Sequence, residues 1–311
     1  MEILDSRQLL AFQALARHGS FTAAARSLSL TQSAISHSIK ALEQTLDTKL
    51  FERLGKTVRL TRSGEALLSH SERILARMLR AQDDIRLLEK PGHGRLRIGA
   101  TVTISQYVLP SVLRELKESF PAFDISIVTD DSRGLMEMID KGDIDVAIAL
   151  ETALSERMTK EFLFEDCIQM ALSPLHPLAS KEEITADDIA RASFIFYSQS
   201  SETFRLLEQG SSQNGYRLNT ALQVGSMAAI KEMAKIGIGI GLLSPWVAEE
   251  DISDGSLTFR PLPWNDMVRR WSIFKDPRHD GQLIERVFAG ICKNVVDTLL
   301  LRTDYLTAET A

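Results

Sequence analysis

From Arg62 to about Lys90 the chain has no proline and, after Gly64, no glycine. Positions 67, 71, 74, 78, 81, 85 and 88 alternate spacings of four and three and read Leu, Ser, Ile, Met, Ala, Ile, Leu, the seam of a coiled coil. At 1.5 Å per residue, about 28 residues make a helix that would extend beyond a compact domain, so dimerisation through this seam is expected. Pro91, Gly92 and Gly94 in "EKPGHGRL" end it. The expected organisation is a head over 1–61, a linker helix over 62–90 and a body over 91–311. Leu67, Ile74, Met78, Ala81, Ile85 and Leu88 are the expected dimerisation residues. Packing of this face on the chain's own body is the alternative, and the helix length disfavours it.

With 311 residues, 44% hydrophobic and 25% charged, the chain is globular and has room for about two or three cores. Its net charge of −6 is uneven: residues 1–62 hold nine basic against five acidic side chains, +4, which leaves −10 for the rest. A basic head on an acidic body suggests that the head meets an anion. No apolar run approaches the roughly 18 residues that span a bilayer, and the start "MEILDSRQLLAFQ" lacks a basic leader pattern, so a cytoplasmic protein without a membrane partner is expected. Cys167 and Cys292 stand in apolar contexts without CxxC or His spacing and are expected as free thiols. No Cys/His/Asp group has metal spacing, and no Ser/His/Asp set has a nucleophile elbow. "IGIGIG", Ile236 to Gly241, lacks GxGxxG spacing and comes after a helix instead of a strand. Neither a cofactor nor an enzymatic site is expected.

In the head, "DSRQLLAFQALARHG" predicts a helix capped by Asp5 or Ser6 and stopped by Gly19, and "SFTAAARSL" a second, smooth one. Thr31 is placed to cap a third helix starting at Gln32. Ile35, Ile39 and Leu42 would face the core, while Gln32, Ser33, Ser36, His37 and Lys40 line the opposite face. Helix, tight turn and a helix with an exposed polar face form the helix-turn-helix arrangement, whose second helix enters the DNA major groove. Gln32 suits an adenine edge, the serines bases or phosphates, and His37 and Lys40 phosphate or guanine. An ordinary amphipathic helix with a solvated face is the alternative. The next stretch favours the DNA reading: a short apolar run, a basic loop with Arg53 and Lys56, and a β-like segment look like a wing along the phosphate backbone. Thr61 opens the next helix.

"SFTAAARSLSLTQSAISHSIKALEQTLDTKLFERLGKTVRLTRSGEALL" resembles the signature of the LysR-type transcriptional regulators. The matching positions are Phe21, Ala23, Ala24, Leu28, Gln32, Ser33, Ser36, Ile39, Leu42, Glu43, Leu50, Phe51, Arg53, Leu60, Thr61 and Gly64. Many members have Pro where Ser33 stands and a permanent cation where His37 stands. The resemblance implies DNA contacts by Gln32, Ser33, Ser36, His37, Lys40, Arg53, Lys56 and Thr61, a dimerising linker helix, and assembly as a homodimer or homotetramer on double-stranded promoter DNA.

In the body, the strands "RLRIGA", "FDISIVT", "IDVAIAL", "SFIFYS", "TALQVG" and "IGIGLLS" alternate with helical stretches, which predicts two α/β lobes, each closing its own core. The resemblance implies a periplasmic-binding-protein-like body in which "RRWSIFK" and the last helix return to the first lobe. The chain would then cross between lobes near Phe164–Cys167 and near Met267–Arg270, with lobe I over about 91–166 and 268–311 and lobe II over about 167–267. Ligands of parallel sheets bind beyond the carboxyl ends of the strands. Thr101, Thr103, Ser132, Ser198, Ser200, Ser201 and Ser226 stand there and are the expected effector contacts, although each alone also suits a helix cap. Hydroxyls and helix dipoles favour a polar metabolite, a carboxylate among them. Asp130 and Asp131, if they point inward, would disfavour anions.

The expected protein is thus α/β with an α-rich N-terminal part: a winged helix-turn-helix head, a long linker helix and a two-lobed effector body, regulating transcription in response to a small molecule. Two alternatives stay open. One is an enzyme on a two-lobed fold carrying the head as a regulatory appendage; the other is a nucleoid-type DNA-binding protein without an effector.

Overall fold

The computed structural model describes residues 3–54, 57–88, 94–264, 267–277 and 283–309, with the side chains of 53, 54, 57, 80, 83, 84, 86–88 and 303–309 outside the description. The chain divides into two compact units, Met1–Pro91 with Asp140–Asp143, and the remainder. No helix among the described residues is long and apolar enough to cross a membrane. Cys167 and Cys292 are free, and burial pushes the Cys292 thiol pKa up.

The first unit begins with α1 (Ser6–His18), whose N-cap Asp5 accepts from the Arg7 backbone N–H at 2.7 Å. Gly19 ends it at φ 61°, a left-handed conformation suited to glycine, and its carbonyl accepts from Val58 N–H at 3.0 Å. Helix α2 (Phe21–Ser27) turns through Ser29, a non-glycine residue at φ 55°, into α3 (Gln32–Thr45). As the spacing predicts, Ile35, Ile39 and Leu42 are buried, and they pack with Leu9, Phe12, Leu15, Ala24 and Leu50. Each fully buried Leu or Ile contributes roughly 1.5–3 kcal/mol by removal of apolar surface from water.

Strands β1 (Phe51–Leu54) and β2 (Thr57–Leu60) form an antiparallel hairpin in the register Phe51↔Leu60 to Leu54↔Thr57. The next helix, α4 (Arg62–Leu88), can start so close to this hairpin because of Gly64. A Cβ there would stand 2.2 Å from the Leu50 carbonyl oxygen. The first turns of α4 do not form a free seam. Leu67 and Leu75 are buried in the head core, and Ser71, fully buried, donates to the Leu68 carbonyl at 2.9 Å and accepts from Gln13 Nε2 at 3.3 Å. Leu67 is therefore a core residue of the head instead of a dimerisation residue, because α1 takes up that face of the helix. Exposed apolar positions begin at Ile74, 39% exposed, and continue through Met78 and Ile85, at 44% and 63%. Ala81 is exposed as well, and the Leu88 side chain lies outside the described residues.

The second unit opens with β3 (Gly94–Ala100), α5 (Val102–Tyr107), α6 (Leu109–Ser119), β4 (Phe123–Thr129), α7 (Ser132–Lys141) and β5 (Val146–Leu150). Here β3 pairs in parallel with both β4 and β5. The helical stretch after β3 is broken at Val108, with Pro110 in the first turn of α6. Strand β6 (Thr159–Leu172) leads into α8 (Ala186–Arg191), β7 (Ser193–Phe196), α9 (Glu202–Gln213), β8 (Asn219–Gln223), α10 (Met227–Lys235), β9 (Ile240–Leu243), α11 (Glu249–Ser253) and β10 (Thr258–Pro261). Strand β11 (Met267–Lys275) returns antiparallel to β6 and pairs with β5, and α12 (Leu283–Glu309) completes the unit.

The strands run in the order β4-β3-β5-β11-β6-β9-β7-β8, with β10 also on β6. Residues Thr159 to Ile168 of β6 pair with β11, and Gln169 to Leu172 pair with β9 and β10. One strand thus serves two lobes, and β11 brings the chain back beside it. The expectation of separate cores holds on one face only. There Leu135, Ile139 and Phe274 cluster in lobe I, and Phe194, Leu207 and Trp264 in lobe II. On the other face a single core runs from Ile98 and Ile148 to Ile195, Ile230 and Leu243. Phe164, Trp246 and Trp271 bridge it: Phe164 stacks on Trp271 with centroids 5.7 Å apart and meets Trp246 edge-on at 5.8 Å. Three large rings at the crossing can touch both lobes at once, which smaller residues could not do.

Candidate functional site

The polar face of α3 is presented by its own local chemistry. Thr31 caps the helix by accepting from Ala34 N–H at 3.2 Å, and its hydroxyl lies 3.0 Å from Ser33 Oγ. Gln32, Ser33, His37 and Lys40 are exposed, and Ser36 is half-buried. Ser33, Ser36, His37 and Lys40 stand on the side away from the buried Ile35–Ile39–Leu42 stripe, so the hydrophobic effect that seats one face of the helix turns the other outward, while Gln32 is exposed as the first residue of the helix. Arg53 belongs to β1; its side chain, and Lys56 altogether, lie outside the described residues. Thr61 opens α4, as the sequence predicts. Its hydroxyl donates to the Lys49 carbonyl at 2.7 Å and accepts from Gly64 N–H at 3.1 Å, so it is committed to capping α4.

Glu43 was legible only as one position of a family pattern, and its work is structural. Its carboxylate accepts from Leu50 N–H at 2.9 Å, Phe51 N–H at 3.4 Å and Lys49 Nζ at 2.7 Å, tying α3 to the start of the hairpin. Burial raises its pKa, but the hydrogen bonds from Lys49 and the two backbone N–H groups, with the Lys49 charge, outweigh it and hold the carboxyl below its usual value.

Within the second unit a cavity of about 410 Å³ opens between the lobes. Thr101, Thr103 and Ser132 line it from lobe I, and Ser198, Ser200 and Ser201 from lobe II. Several of these hydroxyls are already engaged. Thr101 caps α5, Ser201 caps α9, and Ser132 accepts from Leu150 N–H at 3.2 Å. Ser198 Oγ lies 2.9 Å from Ser200 Oγ. Ser226 is corrected: its hydroxyl accepts from Ala229 N–H as the cap of α10, and the neighbours Gly225 and Met227 form the wall in its place. Asp130 and Asp131 do line the cavity. The apolar wall, including Phe196, Phe204, Leu207, Met227 and Trp271, escaped sequence reasoning because these residues read as ordinary core.

The floor holds the most buried ion pair that sequence reasoning missed. Arg269 on β11 donates through Nε to Asp166 Oδ1 at 2.8 Å, and its Nη2 reaches Asp166 Oδ2. Asp166 also accepts from Ser244 Oγ at 2.8 Å and Trp246 Nε1 at 2.7 Å, while Arg269 Nη1 donates to Thr203 Oγ1 at 2.8 Å. The guanidinium lies 5.2 Å from the Trp271 ring centroid. No local signal in "FEDCIQ" or "MVRRWS" marks the pair, which forms only because β6 and β11 bring Asp166 and Arg269 into register.

Two family models match the chain: "Bacterial regulatory helix-turn-helix protein, lysR family" over residues 6–65, and "LysR substrate binding domain" over residues 89–296. A probable RuBisCO transcriptional regulator of Cyanidioschyzon merolae is 32% identical over 246 residues, covering 76% of this chain and 80% of that protein. Among solved structures, ArgP from Mycobacterium tuberculosis superposes with a TM-score of 0.69 at 20% identity, covering 94% of this chain and 97% of that one. Full-length CbnR, solved in complex with its target DNA, gives 0.65 at 20% identity, covering 94% and 99%. At that identity the two structures speak for the fold alone.

Proposed function

Because the chain belongs to the LysR-type transcriptional regulators, which bind DNA and are not enzymes, we propose that its promoter is read by Gln32, Ser33, Ser36, His37 and Lys40 of α3. The wing residues Arg53 and Lys56 grip phosphate on either side. The observation that carries this reading is the exposed polar face of α3 opposite a fully buried apolar stripe. Two heads are joined through Ile74, Met78, Ala81 and Ile85, which places two reading helices on two half-sites of one promoter. The functional division runs as the head at 1–61, the linker at 62–90 and the body at 91–311, in the cytoplasm. Homodimers pair further into homotetramers.

A small metabolite in the interlobe cavity alters DNA binding by biasing the arrangement of the lobes. The core shared by both lobes opposes a wide hinge motion. The change is therefore a small rotation about the β6–β11 crossing, where Arg269 and Thr203 connect one lobe to the other.

The test is binding of the purified protein to DNA flanking its own gene, with and without a panel of metabolites. Gln32→Ala and Ser36→Ala should each change the sequence selected from a random pool, at about 1–3 kcal/mol per base contact. Selection of an unchanged sequence by both variants would remove α3 as the reader. Affinity should fall steeply with salt, as expected when basic groups displace counterions from phosphate.

A further inference from the structure

Arg269 is the one cation in the cavity wall among the described residues, and its charge is already answered. Nε and Nη2 both bond the Asp166 carboxylate, Nη2 also donates to Ser244 Oγ at 3.0 Å, and Nη1 donates to Thr203 Oγ1 at 2.8 Å. A ligand carboxylate would leave water and meet no unpaired cation, while the acids of the wall, Asp130, Asp131 and Glu202, would repel it. A ligand ammonium fares little better. Asp130 and Asp131 are exposed, where an ion pair contributes little, and Glu202 is paired with Arg205.

The hydroxyls of lobe II are engaged as well. Ser201 accepts from Phe204 N–H at 3.1 Å and donates to the Ser198 carbonyl at 2.7 Å, Ser198 Oγ lies 2.9 Å from Ser200 Oγ, and Ser244 stands between Arg269 and Asp166. Apolar wall residues keep uncovered surface on both sides. Val102 of lobe I is 37% exposed, Tyr197 and Phe204 of lobe II are half-buried, and Phe204 is held edge-on against Phe196 with ring centroids 5.1 Å apart. Beside Val102, the half-buried Thr103 brings a hydroxyl that bonds no group among the described residues. About 410 Å³ walled in this way has the size and character of a small-molecule site that holds its ligand mainly by apolar contact.

We propose that the cavity takes a ligand without net charge: an aromatic or aliphatic body between Val102 on one lobe and Tyr197 and Phe204 on the other, with an acceptor oxygen at the Thr103 hydroxyl. This rests on the reading of the cavity as the effector site. It narrows the polar metabolite that hydroxyls and helix dipoles suggest to one that brings no ion with it. A body in contact with both lobes loses more apolar surface to water exclusion as they approach, so burial itself biases their arrangement.

Two matched series serve as probes of the full-length protein at pH 7: benzyl alcohol, benzoate and benzylamine, and 1-hexanol, hexanoate and hexylamine. Binding is read by calorimetry and as a Tm shift. In at least one series the alcohol should bind more tightly than both of its ions by about tenfold or more, equivalent to about 1.4 kcal/mol. Val102→Asp should weaken the alcohol by a similar factor, since an acid is well tolerated in the first turn of a helix but not against a hydrocarbon. Gly225→Phe should abolish binding, because no atom lies within 4 Å of a Cβ built at Gly225 and the ring would fill the cavity. Circular dichroism and the unfolding midpoint without probe establish that both variants remain folded. If neither series favours its alcohol, or no member binds up to its solubility limit, the ligand class is overturned. If an ion binds best and Gly225→Phe abolishes that binding, the cavity reading stands and only the absence of charge falls. Alcohol binding that survives Gly225→Phe would instead remove the cavity as the site.

Discussion

Arg269 and Asp166 face each other in register where β11 and β6 pass between the lobes, with Arg269 Nε 2.8 Å from Asp166 Oδ1 and both side chains almost fully buried. One carboxylate there takes donors from Arg269, Ser244 and Trp246, so the pair joins the crossing strands to the segment after β9. A buried charge with its partner removed costs far more than the intact pair contributes.

Asp166→Asn should accordingly destabilise the full-length protein by about 3–5 kcal/mol in urea unfolding, and Arg269→Met by a similar amount. The double variant Asp166→Leu with Arg269→Met should recover most of that loss, because it leaves no unpaired charge behind. Additive losses in the double variant would mean that the two residues act independently.

The two ends of the linker helix should respond in opposite ways. Ile74→Asp with Ile85→Asp places charges on exposed seam positions and should give monomers by sedimentation, with the fold unchanged. Leu67→Ala should lower stability by about 2–5 kcal/mol while leaving the oligomer intact, since Leu67 is 9% exposed within the head core. Dissociation caused by Leu67→Ala alone would return that residue to the seam.

Glu43 supplies a pH dependence. Its carboxyl pKa is lowered in the folded chain, so the stabilisation is present above the unfolded value near 4.5 and fades as pH falls through the folded value. Glu43→Gln should cost about 1–3 kcal/mol at pH 7, the scale of hydrogen bonds to a charged group. Its cost should shrink steadily below pH 4.5. If α3 reads the promoter as proposed, DNA affinity should fall with it at neutral pH, because Glu43 ties α3 to the β1–β2 hairpin. A cost that stays constant from acid to neutral pH would show that the charge of Glu43 is not what matters.

Local periodicity alone determined the three head helices, the Thr31 cap and the buried Ile35–Ile39–Leu42 stripe, because the spacing of apolar residues along a helix already marks its buried face. The same holds for most strands of the body and for the hydroxyls at their carboxyl ends. Other features depended on partners far away in the chain. Leu67 and Ser71 fit the heptad as well as Ile74 does, and only the arrival of α1 separates core from seam. Thr61 and Ser226 have the chemistry both of ligand contacts and of helix caps, and only the packed structure shows their hydroxyls engaged as caps. The Asp166–Arg269 pair, 103 residues apart, and the core bridged by Phe164, Trp246 and Trp271 exist because two long strands cross side by side. Sequence pattern reports on which face of an element is apolar; what that face meets, and which polar groups remain free for a ligand, is decided only when the elements are packed together.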